Sequence, residues 1–143
     1  MHCREIMKTD IACAAPQATV QSAARTMRDL NIGFLPVCDE SMRVIGTLTD
    51  RDITIRVVAN DVSTLTPVES LMTREVVACR PEDDVGYARE LMARNHKSRI
   101  MCISFEGRLE GVISLSDIAQ LDENTGRETL RRVTSREARG RPT

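Results

Sequence analysis

Two stretches of the chain place a hydroxyl side chain and a carboxylate three residues apart, where a strand-like pattern gives way to a helix-like one. The first stretch contains Thr49 and Asp52, and the second contains Ser114 and Asp117. Each aspartate falls in the first turn of the predicted helix, close to backbone N–H groups that no helical carbonyl uses. Such a corner suits a ribose phosphate. The carboxylate can accept hydrogen bonds from ribose hydroxyls, while the hydroxyl and the helix N-terminus donate to phosphate oxygens.

A single corner of this kind has a simpler interpretation. Thr or Ser before a helix is a common N-cap, and Asp in the first turn complements the helix dipole. The two corners, however, belong to a longer repeat in which matching residues lie 65 positions apart without a gap. Two copies in register favour a binding site over capping alone. The matched pairs are Met7 and Met72, Pro16 and Pro81, Val20 and Val85, Ala23 and Ala88, Met27 and Met92, Gly46 and Gly111, Asp52 and Asp117, and Ile53 and Ile118.

The elements that must position the first corner are read from apolar periodicity and from turn residues. Thr19 is placed to cap a helix, and Gly33 stands where a left-handed residue often ends one. The predicted elements are a short helical turn at Arg4–Met7, a strand at Ile11–Ala14, a helix at Val20–Leu30, strands at Phe34–Cys38 and Val44–Thr49, and a helix at Asp50–Asn60 with Ile53, Val57 and Val58 facing inward.

The second copy repeats this β-α-β-β-α order. We predict one repeat over residues 3–60, a linker over 61–67, a second repeat over 68–121, and a C-terminal helix with a basic tail over 122–143. The predicted elements are a turn at Leu71-Met72, a strand at Val76–Cys79, a helix at Val85–Asn95, strands at Ile100–Phe105 and Leu109–Ser114 around Glu106-Gly107, a helix from Leu115, and a tail helix at Gly126–Val133.

Composition excludes several classes of function. The formal net charge is −1 and aromatic residues make up 2% of the chain, which argues against a nucleic-acid binder. No apolar run approaches the roughly 20 residues of a membrane-spanning helix, and the N-terminus lacks a signal-peptide stretch. No nucleophile–base pair or metal set is visible. We therefore expect a cytoplasmic, non-enzymatic protein without membrane or nucleic-acid partners.

The five cysteines and two histidines show no spacing typical of a metal site, and we expect none. Cys13 and Cys38 lie near the ends of the first two predicted strands. If those strands are parallel neighbours, the two side chains approach disulfide distance. The other interpretation, two buried reduced thiols, is favoured because the expected compartment is reducing.

The repeat, the Phe34–Val37 segment and the two corners resemble a tandem pair of CBS domains, often called a Bateman module. The resemblance spans roughly residues 3–121, and it is closest to small bacterial stand-alone CBS-pair proteins around Leu48–Ile53. It implies an α/β (α+β) fold of two β-α-β-β-α repeats packed about a pseudo-twofold axis, with two clefts between the repeats.

The resemblance also implies a function. A protein of this family would be a non-catalytic regulatory module, active in signal transduction or energy sensing, that binds AMP, ADP or ATP and requires no cofactor. S-adenosylmethionine is a less favoured ligand. At the phosphate position, Arg99 serves the Asp52 cleft and Phe34 the Asp117 cleft, so the Asp52 cleft should bind phosphate better. The implied residues are Thr47, Thr49, Arg51, Asp52, Val76, Val77 and Arg99 in one cleft, and Val112, Ser114, Ser116, Asp117, Ile11, Ala12 and Phe34 in the other.

The implied assembly is a homodimer formed through the helices that follow the two aspartates. Ile53, Ile55 and Val57 supply apolar side chains on the first of these helices. A second hypothesis belongs to another class of function. The protein would then be a structural or adaptor dimer whose clefts are vestigial, and it would act through an unidentified protein partner.

Overall fold

The computed structural model describes residues 1–121 and 130–135, which form helices and small sheets of a mixed α+β fold. The chain divides into two compact units. One unit, here called the Asp52 unit, contains Ala12–Val76 and Glu106–Leu109. The other, the Asp117 unit, contains Met1–Ile11, Val77–Phe105 and the described residues from Glu110 on. Each unit thus combines segments that are distant in the sequence.

The Asp52 unit begins with helix α1 at Val20–Leu30, as the periodicity predicts. The Thr19 side chain accepts a hydrogen bond from the Ser22 amide at 3.0 Å, which confirms the predicted cap. The helix ends at Asn31, whose φ of 54° is left-handed. The prediction that Gly33 supplies this conformation is wrong. Gly33 instead allows a close approach, since a Cβ there would lie 2.7 Å from Asp50 Oδ2.

Strands β1 (Phe34–Cys38) and β2 (Val44–Thr49) form an antiparallel pair with the predicted bounds. The strand predicted at Ile11–Ala14 is wrong in extent, because only Ala14 pairs, through a parallel bridge to Val37. Pro16 follows two residues later and lacks the N–H that a longer ladder would need.

The helix after β2 changes type along its length. Helix α2 covers Asp50–Asp52 and continues as a π-helix over Ile53–Val58, where hydrogen bonds span five residues. Val57 is buried at 1% exposure, whereas Val58 is 70% exposed. The prediction that Val58 faces inward is therefore wrong. Sequence periodicity assumed an α-helical rotation per residue, and the wider π turn changes which side chains face the core.

The Asp117 unit holds a three-stranded sheet with β4 between β3 and β5, and β3 runs parallel to β4. Strand β4 ends before Phe105, which lies in a turn with 85% of its surface exposed, so the predicted end at Phe105 is wrong. Strand β3 is shorter than predicted. The elements are a 3₁₀ turn at Cys3–Glu5, β3 at Ala78–Cys79, helix α3 at Val85–Asn95, β4 at Arg99–Ile103, β5 at Leu109–Ser114 and helix α4 at Leu115–Leu121.

Each unit has its own apolar core. The Asp52 unit buries Val20, Leu35, Leu48, Val57 and Val68, and the Asp117 unit buries Cys3, Met92, Ile100, Cys102, Ile113 and Ile118.

The C-terminal prediction falls only partly on described residues. Residues 130–135 are helical, with Val133 buried, whereas the start of the predicted tail helix and the basic tail lie outside the described residues. In the described part of the chain, no helix combines the length and the apolar character needed to span a membrane.

Candidate functional site

The Asp52 corner is built by a reciprocal pair of hydrogen bonds at the end of β2. The Thr49 side chain accepts from the Asp52 amide at 3.1 Å, and Asp52 Oδ2 accepts from the Thr49 amide at 3.0 Å. This capping box satisfies two N–H groups that the helix itself cannot satisfy. It also fixes the carboxylate, whose side chain is 16% exposed, in a single orientation.

The second carboxylate oxygen of this corner faces a cation. Arg56 lies one helical turn later, with its guanidinium 3.7 Å from Asp52 Oδ1. Another guanidinium nitrogen donates to the Leu71 carbonyl at 2.8 Å, which anchors the arginine to the start of the second repeat. The corner therefore carries a positioned carboxylate and a positioned cation side by side.

Gly46 is needed because the chain passes directly over it. A Cβ at Gly46 would lie 2.6 Å from Met72 Sδ and 2.8 Å from the Thr73 carbonyl oxygen. The close approach lets Thr47 and Thr73 exchange backbone hydrogen bonds of 2.9 and 2.8 Å. The glycine of the repeat thus serves packing, and it brings Thr73 beside the corner.

The Asp117 corner repeats the capping box in the other unit. Asp117 Oδ2 accepts from the Ser114 amide at 2.9 Å, and the Ser114 hydroxyl accepts from the Asp117 amide at 3.2 Å. The hydroxyls of Ser114 and Ser116 also lie 2.9 Å apart. Because the same bonds recur, both aspartates present one oxygen that the box does not use.

The counter-charge of this corner comes from a different place in the chain. Lys8 exchanges backbone hydrogen bonds of 2.9 and 3.0 Å with Val112, and its ammonium lies 3.5 Å from Asp117 Oδ1. Neither Lys8 nor Arg56 was predicted from the sequence as part of a corner. At the repeat offset, Lys8 matches Thr73, the residue that follows Met72 over Gly46. The offset could therefore have indicated that Lys8 follows Met7 over Gly111.

The predicted site residues are distributed over the two units. The structure brings Thr47, Thr49 and Asp52 together in one unit, and Val112, Ser114, Ser116 and Asp117 together in the other. The remaining predicted residues do not take part in either capping box. Those residues are Arg51, exposed in α2; Arg99, exposed at the start of β4; and Ile11, Ala12, Phe34, Val76 and Val77, all half-buried.

Cys13 and Cys38 are free thiols in the Asp52 unit. Their chain neighbours Ala14 and Val37 form the parallel bridge, so the parallel adjacency on which the disulfide prediction depends is present. Burial, together with the charge and hydrogen bond of Cys13, raises the pKa of the Cys38 thiol to about 12. The disulfide itself stays a prediction.

The Asp117 unit contains a cluster of three thiols that was not predicted from the sequence. The Sγ atoms of Cys3, Cys79 and Cys102 all lie within 4.8 Å of one another, and all three residues are buried. No CxxC spacing announces the cluster. The sequence did place Cys79 and Cys102 on the first and second predicted strands of the second copy, and the structure pairs these two strands in parallel.

Each unit is an α+β unit that ends a strand in the same hydroxyl–aspartate corner, so the protein is a tandem α+β repeat protein. The CBS domain family matches the chain twice, over residues 3–59 and 68–124, and the chain therefore belongs to this family as a tandem CBS-domain protein.

Known proteins agree with this assignment. The CBS domain-containing protein YhcV of Bacillus subtilis is 35% identical over 116 residues, which cover 81% of each chain. Hypoxic response protein 1 of Mycobacterium tuberculosis is 31% identical over 118 residues, 82% of each chain. A crystal structure of hypoxic response protein I with two coordinated zinc ions superposes with a TM-score of 0.77 at 30% identity, covering 84% of this chain and 98% of that one.

Proposed function

We propose that this protein is a non-catalytic regulatory module that binds an adenosine-containing ligand of the AMP, ADP or ATP class at its aspartate corners. One observation carries the proposal. In both corners a capping box holds one carboxylate oxygen and leaves the other outside the box, beside a cation. A ribose offers two adjacent hydroxyl donors, which a fixed carboxylate can accept. The cation then favours a phosphate attached to that ribose.

Structures of other CBS-domain proteins support the ligand class. CBSX2 has been solved in complex with AMP, and so has the CBS domain protein PAE2072 from Pyrobaculum aerophilum. The CBS domain pair of MJ0100 has been solved in complex with 5-methylthioadenosine and S-adenosyl-L-methionine. The other residues that the resemblance implies belong to the proposal as well, with Arg99 as the phosphate contact of Asp52. They are Arg51, Val76 and Val77 for Asp52, and Ile11, Ala12 and Phe34 for Asp117.

Calorimetric titration with AMP, ADP, ATP, adenosine and S-adenosylmethionine tests this function. Asp52→Asn should weaken AMP binding, because the amide can still accept from the Thr49 N–H while its NH₂ replaces the oxygen that would accept from ribose. Losing charged hydrogen bonds costs about 1.5–3 kcal/mol, or roughly 10–150-fold in affinity. Asp117→Asn should have the smaller effect on AMP, since Phe34 cannot pair with a phosphate.

The chain offers a matched control in the same helical turn. Asp50→Asn makes the same charge change, but Asp50 is exposed and lies outside the capping box. It should bind AMP as the unchanged protein does. Failure of every adenine compound to bind, or unchanged binding in the Asp52→Asn/Asp117→Asn double variant, would contradict the proposal.

A second candidate function, an adaptor that acts through a homodimer surface, is favoured by exposed apolar side chains. Ile55 is 46% exposed and Val58 is 70% exposed on the helix after the first corner, and Leu121 is 48% exposed on the helix after the second. Surfaces of this kind often mark protein contacts. If they hold a homodimer, Ile55→Glu/Val58→Glu should give a monomer mass in light scattering. Leu65→Glu, which alters a 66% exposed side chain in the linker, should leave the dimer intact.

A further inference from the structure

The three thiols of the Asp117 unit are packed at distances that suit a shared metal ion. Cys79 Sγ lies 3.7 Å from Cys3 Sγ and 3.6 Å from Cys102 Sγ. Sulfur ligands about 2.3 Å from a tetrahedrally or trigonally coordinated metal ion lie about 3.8–4.0 Å from one another. A modest adjustment of the side chains would therefore place all three sulfurs around one ion.

Backbone pairing holds the three residues in place. Cys79 and Cys102 are register partners on the parallel strands β3 and β4. Cys3 reaches them from the N-terminal 3₁₀ turn, where its amide donates to the Asp83 carbonyl at 2.8 Å. An ion at this point would therefore link the N-terminal segment to the sheet.

The same positions in the other copy show that packing does not require thiols. At the repeat offset, Cys3, Cys79 and Cys102 match Val68, Ala14 and Val37. Those three residues are also buried, at 0%, 8% and 0% exposure, and Ala14 pairs with Val37 in parallel. Aliphatic side chains thus fill this layer of the fold in one copy, and the other copy has three sulfurs there.

The other contacts of these sulfurs are weak ones. Cys3 Sγ lies 3.8 Å from the Asp84 carbonyl oxygen, and Cys79 Sγ lies 3.7 Å from the Met101 carbonyl oxygen. Thiols are weak hydrogen-bond donors, so replacing these contacts by metal–sulfur bonds costs little.

We propose that Cys3, Cys79 and Cys102 form a three-sulfur binding site for a soft, thiophilic metal ion of the Cu⁺ or Zn²⁺ kind. Soft thiolate ligands select these ions. Within residues 1–121 and 130–135, no fourth Cys, His, Asp or Glu ligand atom joins the group. Cu⁺ needs no further ligand at three sulfurs, whereas Zn²⁺ would complete its usual four with water. Binding displaces the protons still held by the thiols, with no change in their oxidation state.

The reduced full-length protein tests the proposal directly. Cu⁺, kept reduced under argon, and Zn²⁺ are each titrated against a competing chromophoric chelator, and native mass spectrometry counts bound ions and displaced protons. The expected result is one ion per chain. X-ray absorption should then report three sulfur neighbours for Cu⁺, and three sulfurs with one oxygen for Zn²⁺. Failure of both ions to bind would overturn the site.

Two variants locate the bound ion. Cys3→Val/Cys79→Ala/Cys102→Val installs the residues of the other copy and should lose the ion. Cys13→Ala/Cys38→Ala removes the two remaining thiols and should retain it. The opposite pattern, with the ion lost only in the second variant, would overturn the assignment to this cluster.

A single substitution keeps the test valid if the triple variant fails to fold. Cys3→Ser changes one atom on the N-terminal turn. It should weaken metal binding by more than the roughly 10–100-fold that loss of an outer-shell partner costs. Unchanged affinity would show that Cys3 is not a ligand. The titrations contain no nucleotide, so their outcome is independent of the adenylate proposal.

Discussion

The two corners share their acid and their capping box but take their cations from different parts of the chain. Asp52 faces Arg56, four residues later on the same helix, whereas Asp117 faces Lys8, which reaches it from the N-terminal segment paired with β5. The common part is therefore the strand-to-helix junction, which the backbone determines. The counter-charge is a separate feature, which comes from the same helix in one copy and from a paired N-terminal segment in the other.

The largest difference that we expect between the copies concerns the glycines of the repeat. A Cβ at Gly46 would lie 2.8 Å from the Thr73 carbonyl oxygen as well as 2.6 Å from Met72 Sδ, whereas the three atoms nearest to a Cβ at Gly111 all belong to the Met7 side chain, at 2.6 to 2.8 Å. Overpacking costs about 1–3 kcal/mol, and a backbone contact relaxes less readily than a side chain. Gly46→Ala should therefore lower the free energy of unfolding more than Gly111→Ala does.

Urea denaturation of the two variants measures this difference. Both substitutions introduce Ala, so the intrinsic strand propensity changes equally in β2 and β5. The difference between the two free energies of unfolding therefore reports the contact with the segment that crosses each glycine. Equal losses, or a larger loss for Gly111→Ala, would show that the Met72–Thr73 segment yields as easily as Met7.

The next difference concerns alkaline stability in the Asp52 unit. Burial raises the pKa of Cys38 from 9.0 to about 12, so the folded state favours the protonated thiol. This stabilisation is complete below pH 9 and is lost as the pH rises from 9 toward 12. Replacing Cys38 with Val removes that loss. The free energy of unfolding of reduced wild-type protein should therefore fall relative to Cys38→Val across this range.

Urea unfolding at a series of pH values checks this prediction. Between pH 7 and 9 the difference between the two proteins should stay constant, which provides an internal control. A difference that also stays constant above pH 9 would show that Cys38 has an ordinary pKa in the folded protein.

A smaller effect on the free energy of unfolding is expected when the three buried cysteines of the Asp117 unit are replaced by the matching residues of the other copy. Without metal, Cys3→Val/Cys79→Ala/Cys102→Val should change the free energy of unfolding by less than about 1.5 kcal/mol. Swaps that keep the packed volume are tolerated best, and Val68, Ala14 and Val37 already fill the matching layer. The control is Leu35→Ala, a fully buried truncation that should cost about 2–5 kcal/mol. A similar loss in both variants would mean that the two layers are not interchangeable.

Sequence reasoning succeeded where the physics is local. Helices α1 and α3 have the predicted bounds, because the apolar period and the flanking caps agree over eleven residues each. Strands β1, β2 and β5 also match, since they are apolar and are followed by turn residues or by a corner. The corners were predicted because the repeat placed the same residue types at the same spacing.

The failures involve tertiary contacts. Ala14 forms its bridge only because Val37 lies beside it in the fold. The left-handed residue that ends α1 is Asn31 and not Gly33, and Gly33 is explained instead by its close contact with Asp50. Lys8 reaches Asp117 from 109 positions earlier in the chain. A short stretch of sequence cannot show that two residues so far apart meet in the fold. The three-thiol cluster was missed for the same reason, since its members lie on a turn and two strands.

The smallest expected effect separates the two cations of the corners. Partly exposed ion pairs contribute about 0–1 kcal/mol, so Lys8→Gln should change the free energy of unfolding by only a few tenths of a kcal/mol. Arg56→Gln should cost more, about 1 kcal/mol, because it also removes the hydrogen bond to the Leu71 carbonyl. Salt distinguishes the two contributions. The Lys8 effect should vanish in 1 M NaCl, where exposed charges are screened over about 3 Å, while most of the Arg56 effect should persist. Suppose instead that Lys8→Gln and Arg56→Gln lower the free energy of unfolding by the same amount as each other, both at low salt and in 1 M NaCl. Arg56 would then act only as a charge, and the two corners would hold their cations equally weakly.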